Sequence, residues 1–236
     1  MADTADTAHT TDGAGEADGK RPAKEQGTGT DMAAFRDAVT TWAAGGPGEP
    51  GHRARALAAR LPVRTAVLLE GPSDVAAVET LAACRGRDLA AEGVCVLPIG
   101  GAMSAGRFAA LLGPPGLGLR LTGLCDANER RFYARALERT DATGPGFFVC
   151  TADLEDEFIR ALGTERVIAL IHAEGDGRPL DTFLNQPAQR DRTTAQQLRR
   201  FFGTKKGRKI HYGRVLVEAL GPDRVPAPLA GLFAAL

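Results

Sequence analysis

No excess of either charge marks this sequence: 29 Lys and Arg balance 29 Asp and Glu over 236 residues. Overall electrostatics therefore names no partner, and any charge argument must come from local clustering. No apolar run approaches the roughly 20 residues needed to span a bilayer. The N-terminus has neither the basic nor the apolar region of a secretory signal. The expectation is a soluble cytoplasmic protein with no membrane partner. No CxxC pair occurs, and Cys84, Cys95, Cys125 and Cys150 stand far apart. That argues against a zinc ribbon and for small buried side chains in a reducing compartment. There is no GxxxxGK[ST] phosphate loop and no repeat at solenoid periods. His172 and His211 belong to no ligand spacing.

What remains is a chain that is 44% hydrophobic and 25% charged, enough for one good core. Residues 1–30 contain no large apolar residue beyond Met1 and read as a disordered tail. Residues 31–62 read as a helical segment. Asp31 is placed to cap a helix carrying Phe35, Val39 and Trp42, "GGPGEPG" interrupts it, and "HRARALAARL" follows. From residue 63 to 163 apolar runs alternate with helical stretches. "TAVLL", "GVCVLPI", "LRLTGLC" and "GFFVC" are strands, and the segments after them, the first with Ser73 as a candidate N-cap, are helices. Strict alternation implies βαβ units, hence an α/β fold with a mostly parallel four-stranded sheet flanked by helices. Residues 164–236 read as a helical extension.

The acids fall in a pattern. Glu70 ends the first strand in "LLEGPSD", with Asp74 one helical turn later. Asp126 and Asn128 follow the third strand. Asp153, Glu155, Asp156 and Glu157 follow the fourth. Parallel strands deliver these groups to one edge of the sheet, where active groups of such folds collect. Carboxylates gathered together repel unless a cation joins them. Hard divalent ions take oxygen ligands, so the edge reads as a Mg²⁺ or Mn²⁺ site for phosphate chemistry. Glu70, Asp74, Asp126 and Glu155 are the expected ligands, with Asn128 and Asp153 in support. Asp156 and Glu157 are more readily explained as helix-turn residues.

"LLEGPSD", "PIGG", "GLCDAN" and "DLEDEF" together resemble the Toprim fold, and among its branches the Toprim domain of OLD-family endonucleases. The resemblance covers roughly residues 63–162. It implies a divalent-metal-dependent endonuclease hydrolysing phosphodiesters in DNA, or in RNA. Glu70 would serve as ligand or general base, and a late lysine would be catalytic. Lys209 is the choice for that lysine, with Lys205 and Lys206 as competitors. Many Toprim proteins carry Asp-x-Asp where this chain has Asp126-Ala127-Asn128. Asn128 offers a carbonyl oxygen without charge and is expected to hold a cation less tightly. OLD nucleases usually join this domain to an ATPase, so a separate ATPase chain is an expected partner. The rival is a non-catalytic module that binds DNA or that ATPase.

Between Arg190 and Arg214 nine cations face one acid, Asp191. Arg199, Arg200, Lys205, Lys206 and Arg208 are the expected contacts to nucleic-acid phosphates, while Phe201 and Phe202 are expected in the core. Only Tyr133 and Tyr212 are available as tyrosine nucleophiles, which argues against a topoisomerase.

Overall fold

Thr65–Leu69, strand β1, is buried at every position, so it needs cover on both faces. The computed structural model, which describes residues 23–45, 48–139 and 146–236, supplies it. β1 lies inside a four-stranded sheet with β2 (Val94–Pro98), β3 (Arg120–Asp126) and β4 (Gly146–Cys150) in the order β2-β1-β3-β4. All three pairings are parallel, with Leu69 opposite Pro98, Leu68 opposite Gly123 and Asp126 opposite Cys150. The chain leaves β1 to build β2 on one side, then returns to build β3 on the other. The crevice at the carboxyl ends of β1 and β3 is therefore the topological switch point, where ligands bind in open parallel sheets.

The period-two alternation of the strands divides the core. Val67, Leu69, Val96 and Leu124 face one way. They meet α3 (Pro72–Cys84), α6 (Leu154–Leu162), α7 (Thr164–Ala173), α9 (Thr194–Phe202), α10 (Arg208–Glu218) and α11 (Ala227–Ala235). Ala66, Leu68, Cys95, Leu97 and Leu121 face the other way, onto α1 (Ala23–Ala43), α4 (Ala105–Leu112) and α5 (Arg130–Glu138). α2 (Glu49–Arg60) packs on α1. No helix among the described residues is long and apolar enough to cross a membrane.

Several boundaries differ from the sequence reading. α1 already runs from Ala23, so Asp31 sits in its interior instead of capping it. Residues 1–22 of the expected tail lie outside the described residues. α3 starts at Pro72 with Gly71 as N-cap, which leaves Ser73 inside the first turn. Within the helical extension the chain also forms α8 (Gly177–Leu184). Pro179 is tolerated there because it lies in the first turn, where its missing N–H has no partner to lose.

The contact that matters most for the site is between α10 and α3. A Cβ at Gly213 would stand 2.9 Å from the Ser73 carbonyl oxygen. Only glycine lets the two backbones come this close. Lys209 lies one turn before Gly213 on the same face of α10. Gly213→Ala would gain about 1 kcal/mol of helix propensity on an exposed surface. Here overpacking wins, and we predict a net loss of about 1–3 kcal/mol, read as a lowered midpoint in urea unfolding. A midpoint that rises would show that α10 does not depend on the close approach.

Candidate functional site

Each strand of the switch-point crevice ends by presenting an acid. Glu70 directly follows β1, and its carbonyl accepts from the N–H groups of Gly100 (3.0 Å) and Gly101 (3.2 Å). Both glycines have positive φ, 72° and 105°, a region that side chains rarely enter. The "PIGG" turn thus carries β2 past β1 and fixes the backbone of Glu70. Asp74, in the first turn of α3, reaches back so that its Oδ2 accepts from the Gly71 N–H at 2.9 Å. Asp126 is the last residue of β3. Asp153 caps α6, its Oδ1 accepting from the Asp156 N–H at 2.9 Å, and Glu155 follows in the first turn. Lys209 arrives from α10, its Nζ 3.1 Å from Glu155 Oε1. Glu70, Asp74, Asp126, Asp153, Glu155 and Lys209 all line one cavity of about 500 Å³.

The acids in and beside this cavity sort into two groups. Glu70, Asp126 and Glu129 place carboxylate oxygens within 4.8 Å of one another. Asp74 and Glu155 form the second group, with Lys209 as its cation. Desolvation, then the charge of Glu155, pushes Asp74 up to about 7. The residue as a whole is partly exposed, but its carboxyl is turned away from solvent. Desolvation and then Glu70 push Asp126 up to about 7 as well. Glu70 is raised by burial, by the charge of Glu129 and by a hydrogen bond to it. Two ionised carboxylates cannot make that bond without a proton or cation between them. The Lys209 ammonium is opposed by burial, but Glu155, with Asp153 and Asp74 behind it, more than offsets this and raises its pKa.

Glu129 is the site residue that the sequence reading missed. Asp126-Ala127-Asn128 invites an extended reading in which positions 126 and 128 share a side. The chain instead turns into a short 3₁₀ helix over Ala127–Glu129, and in that geometry residues i and i+3 eclipse. Glu129 therefore joins Asp126, while Asn128 is exposed and does not line the cavity. One oxygen of Glu129, Oε2, is buried with no hydrogen-bond partner. An orphaned anionic oxygen beside two other carboxylates fits a hard cation. The cysteine side chains do not compete for it. Cys125 and Cys150 line the cavity, but burial raises both thiols, Cys125 to about 11. Among the cysteines, Cys84 alone is exposed.

The basic stretch divides differently from the expectation. Arg208 is buried. It pairs with Asp176 through Nε (3.1 Å) and Nη2 (3.2 Å), donates to Thr204 Oγ1 at 2.6 Å, and stacks 4.1 Å over the Phe201 ring. It serves the fold and is not a phosphate contact. Lys205 and Lys206 stand in an exposed turn away from the acids, which leaves Lys209 as the lysine at the cavity. Arg199 is salt-bridged to Asp153 through Nε. With Arg192, Arg200 and Lys209 it walls a second cavity of about 480 Å³ that shares Asp153 with the first. Phe201 and Phe202 are in the core as expected. Tyr133 and Tyr212 are both buried and cannot act as surface nucleophiles. His211 pairs with Glu174 at 2.8 Å, outside the cavity.

The family model "Overcoming lysogenization defect protein-like, TOPRIM domain" matches residues 63–127. Among solved structures, the chain resembles the C-terminal region of the Burkholderia pseudomallei OLD protein at 19% identity. The TM-score is 0.55 over 73% of this chain and 96% of that one. The corresponding region of the Xanthomonas campestris pv. campestris OLD protein aligns at 22% identity, with a TM-score of 0.56 over 73% of this chain and 94% of that one. No curated protein gives a match.

The acids and the buried Arg208 can each be tested. Asp74 and Asp126 hold protons in the fold up to about pH 7, whereas unfolded they release them near pH 4. The stability these protons confer is complete below about pH 4 and is lost as pH rises through 7. A metal-free sample should therefore show a falling Tm contribution across that window, and added Mg²⁺ or Mn²⁺ should restore more at pH 8 than at pH 5. Asp126→Asn should raise the metal-free Tm at pH 8 by about 2–4 °C for each kcal/mol of repulsion removed, and abolish most of the gain from added ion. Arg208→Ala should cost about 2 kcal/mol by stranding Asp176. The loss is read as a lowered urea unfolding midpoint.

Proposed function

We propose, from the match of residues 63–127 to the OLD-like Toprim domain model, that the protein is a divalent-metal-dependent nuclease that hydrolyses phosphodiester bonds in DNA. The observation that carries this reading is the convergence of five acids and Lys209 from separate elements on one cavity at the switch point. Structural acids would have been placed apart. A fold that raises the pKa of Glu70, Asp74 and Asp126 together gains nothing from them unless a cation uses them.

Glu70, Asp126 and Glu129 are the residues that would hold Mg²⁺ or Mn²⁺. Asp74 and Glu155 lie close enough to assist, although Glu155 is already engaged by Lys209. When bound, the ion would polarise the scissile phosphate and lower the pKa of an attacking water. Lys209, held in place by Glu155, keeps a positive charge at the cavity wall where negative charge builds on phosphate oxygens. Asp153 fixes the Arg199 guanidinium at the rim through their ion pair. With Arg200 it offers bidentate contacts to backbone phosphates on that side. An ATPase supplied by a second chain would be compatible with this arrangement, since none of these residues comes from a phosphate loop.

Purified protein incubated with supercoiled plasmid and Mg²⁺ or Mn²⁺ should yield nicked circles. Glu70→Ala and Asp126→Asn should each slow this by about 10²-fold or more, and Lys209→Ala by a factor on the order of 10². A labelled RNA run beside the plasmid identifies the preferred polymer. A retarded plasmid that is never cut in either metal would replace the enzyme with a non-catalytic DNA-binding module.

A further inference from the structure

The loops that frame the acid cavity lead directly into a second basic surface. Gly100 and Gly101 line the cavity and run into a 3₁₀ turn, Ala102–Ser104, that carries Met103. Asp126 and Glu129 run into α5. Between these two exits lies a shallow pocket of about 150 Å³ whose walls include Met103, Phe132, Arg135 and Arg139. It sits over the α4–α5 face of the sheet. Arg199 and Arg200 belong to α9, which packs on the opposite face. The acids thus lie between two cationic flanks.

The cations on α5 are not explained by the fold. Arg131, Arg135 and Arg139 recur every four residues and form one exposed stripe. Like charges at this spacing repel one another. Arg130 and Arg131 also occupy the first turn, where the helix dipole disfavours positive charge. None of the four arginines has an ion pair among the described residues. The dipole favours Arg135 and Arg139 at the other end, and Arg131 stacks on the Phe132 ring, but the repulsion along the exposed stripe remains, and an external anion would relieve it. Met103 is 86% exposed and is the large hydrophobic side chain most open to solvent among the described residues. A single exposed methionine is ordinary on a surface. This one stands at the exit of the double-glycine turn, on the wall of a pocket that it shares with Arg135 and Arg139.

We infer that the α5 stripe and Met103 form a second DNA contact, so that the duplex crosses the acid cavity from the Arg199–Arg200 flank to the Arg135–Arg139 flank, with Met103 as an apolar wedge against a base step. Arginines hold the backbone on both sides of the reacting phosphate. An unbranched apolar side chain inserted beside it partly unstacks the duplex, as wedge residues of DNA-bending proteins do. The inference rests on the nucleic-acid reading of the site, and its test separates the two.

The full chain is titrated into a fluorescein-labelled short duplex in Ca²⁺ and in EDTA, with a duplex RNA as second probe. The DNA carries 2-aminopurine to report unstacking. Arg135→Glu/Arg139→Glu should weaken DNA binding about tenfold or more at about 0.1 M salt, and flatten the salt dependence by about 0.9 per lost phosphate contact. Arg135→Gln/Arg139→Gln, which asks less of the fold, should give an intermediate loss. Met103→Ala should keep affinity within about threefold but abolish the 2-aminopurine rise. If the Arg135/Arg139 variants bind as wild type while Arg199→Glu/Arg200→Glu does not, the second contact is wrong and the nucleic-acid reading stands. A 2-aminopurine signal that survives Met103→Ala removes the wedge. If the wild-type chain binds neither DNA nor RNA, both readings fall.

Discussion

Mutual repulsion among carboxylates at one sheet edge is the constraint around which this molecule is built. At an effective dielectric of about 20, two unit charges 4.8 Å apart repel by about 3.5 kcal/mol. Whole domains are stable by only about 5–15 kcal/mol. Three such acids, with Asp74 and Glu155 nearby, cannot all be ionised without help from a proton, a lysine or a cation. The chain uses the lysine for one subset. For the other it leaves a shared hydrogen and an orphaned oxygen on Glu129.

The scaffold is rigid where this repulsion acts. A parallel sheet buried on both faces cannot splay its strand ends to relieve the strain of like charges, because every shift would open the core. The attachments are local as well. The Glu70 backbone is held by two N–H groups from the neighbouring turn. Asp74 is tied to the Gly71 amide, and Asp153 is tied to its own helix cap and to Arg199. Lys209 is a different matter. It belongs to a helix late in the chain, and its position depends on how closely α10 lies on α3 at Gly213. The one cation of the cavity is therefore also the group most exposed to packing changes far from it.

Much of this was legible in the residues. Four apolar runs separated by helical stretches fixed the parallel sheet, and an acid at the end of three of them fixed which edge would matter. Glu70, Asp74, Asp126, Asp153 and Glu155 needed no structure to be picked out, because strand direction alone brings them together. What escaped had physical reasons. Glu129 depends on whether three residues after β3 extend or coil into a 3₁₀ turn, a choice of small energy that composition does not show. Arg208 looked like its basic neighbours in sequence, yet Asp176, 32 residues away, and the Phe201 ring draw it inside. The choice of Lys209 over Lys205 and Lys206 turns on helix start and helix contact.

The two subsets of acids also bear on how many ions the cavity asks for. Glu155 is ion-paired to Lys209, and the same ammonium acts on Asp74 and Glu70, so a second divalent ion on that side would either displace the ammonium or share carboxylate oxygens with it. Glu70, Asp126 and Glu129 have no salt-bridged cation among the described residues, although the Lys209 charge acts to lower the pKa of Glu70. On the proposed reading, these three would hold the first ion. Lys209 would then supply fixed positive charge in place of a second ion. On that reading, a phosphate entering the cavity would meet positive charge from the ion and from the ammonium. Each of those charges would be held by acids of one cavity, so carboxylate repulsion and phosphate binding would share a single origin.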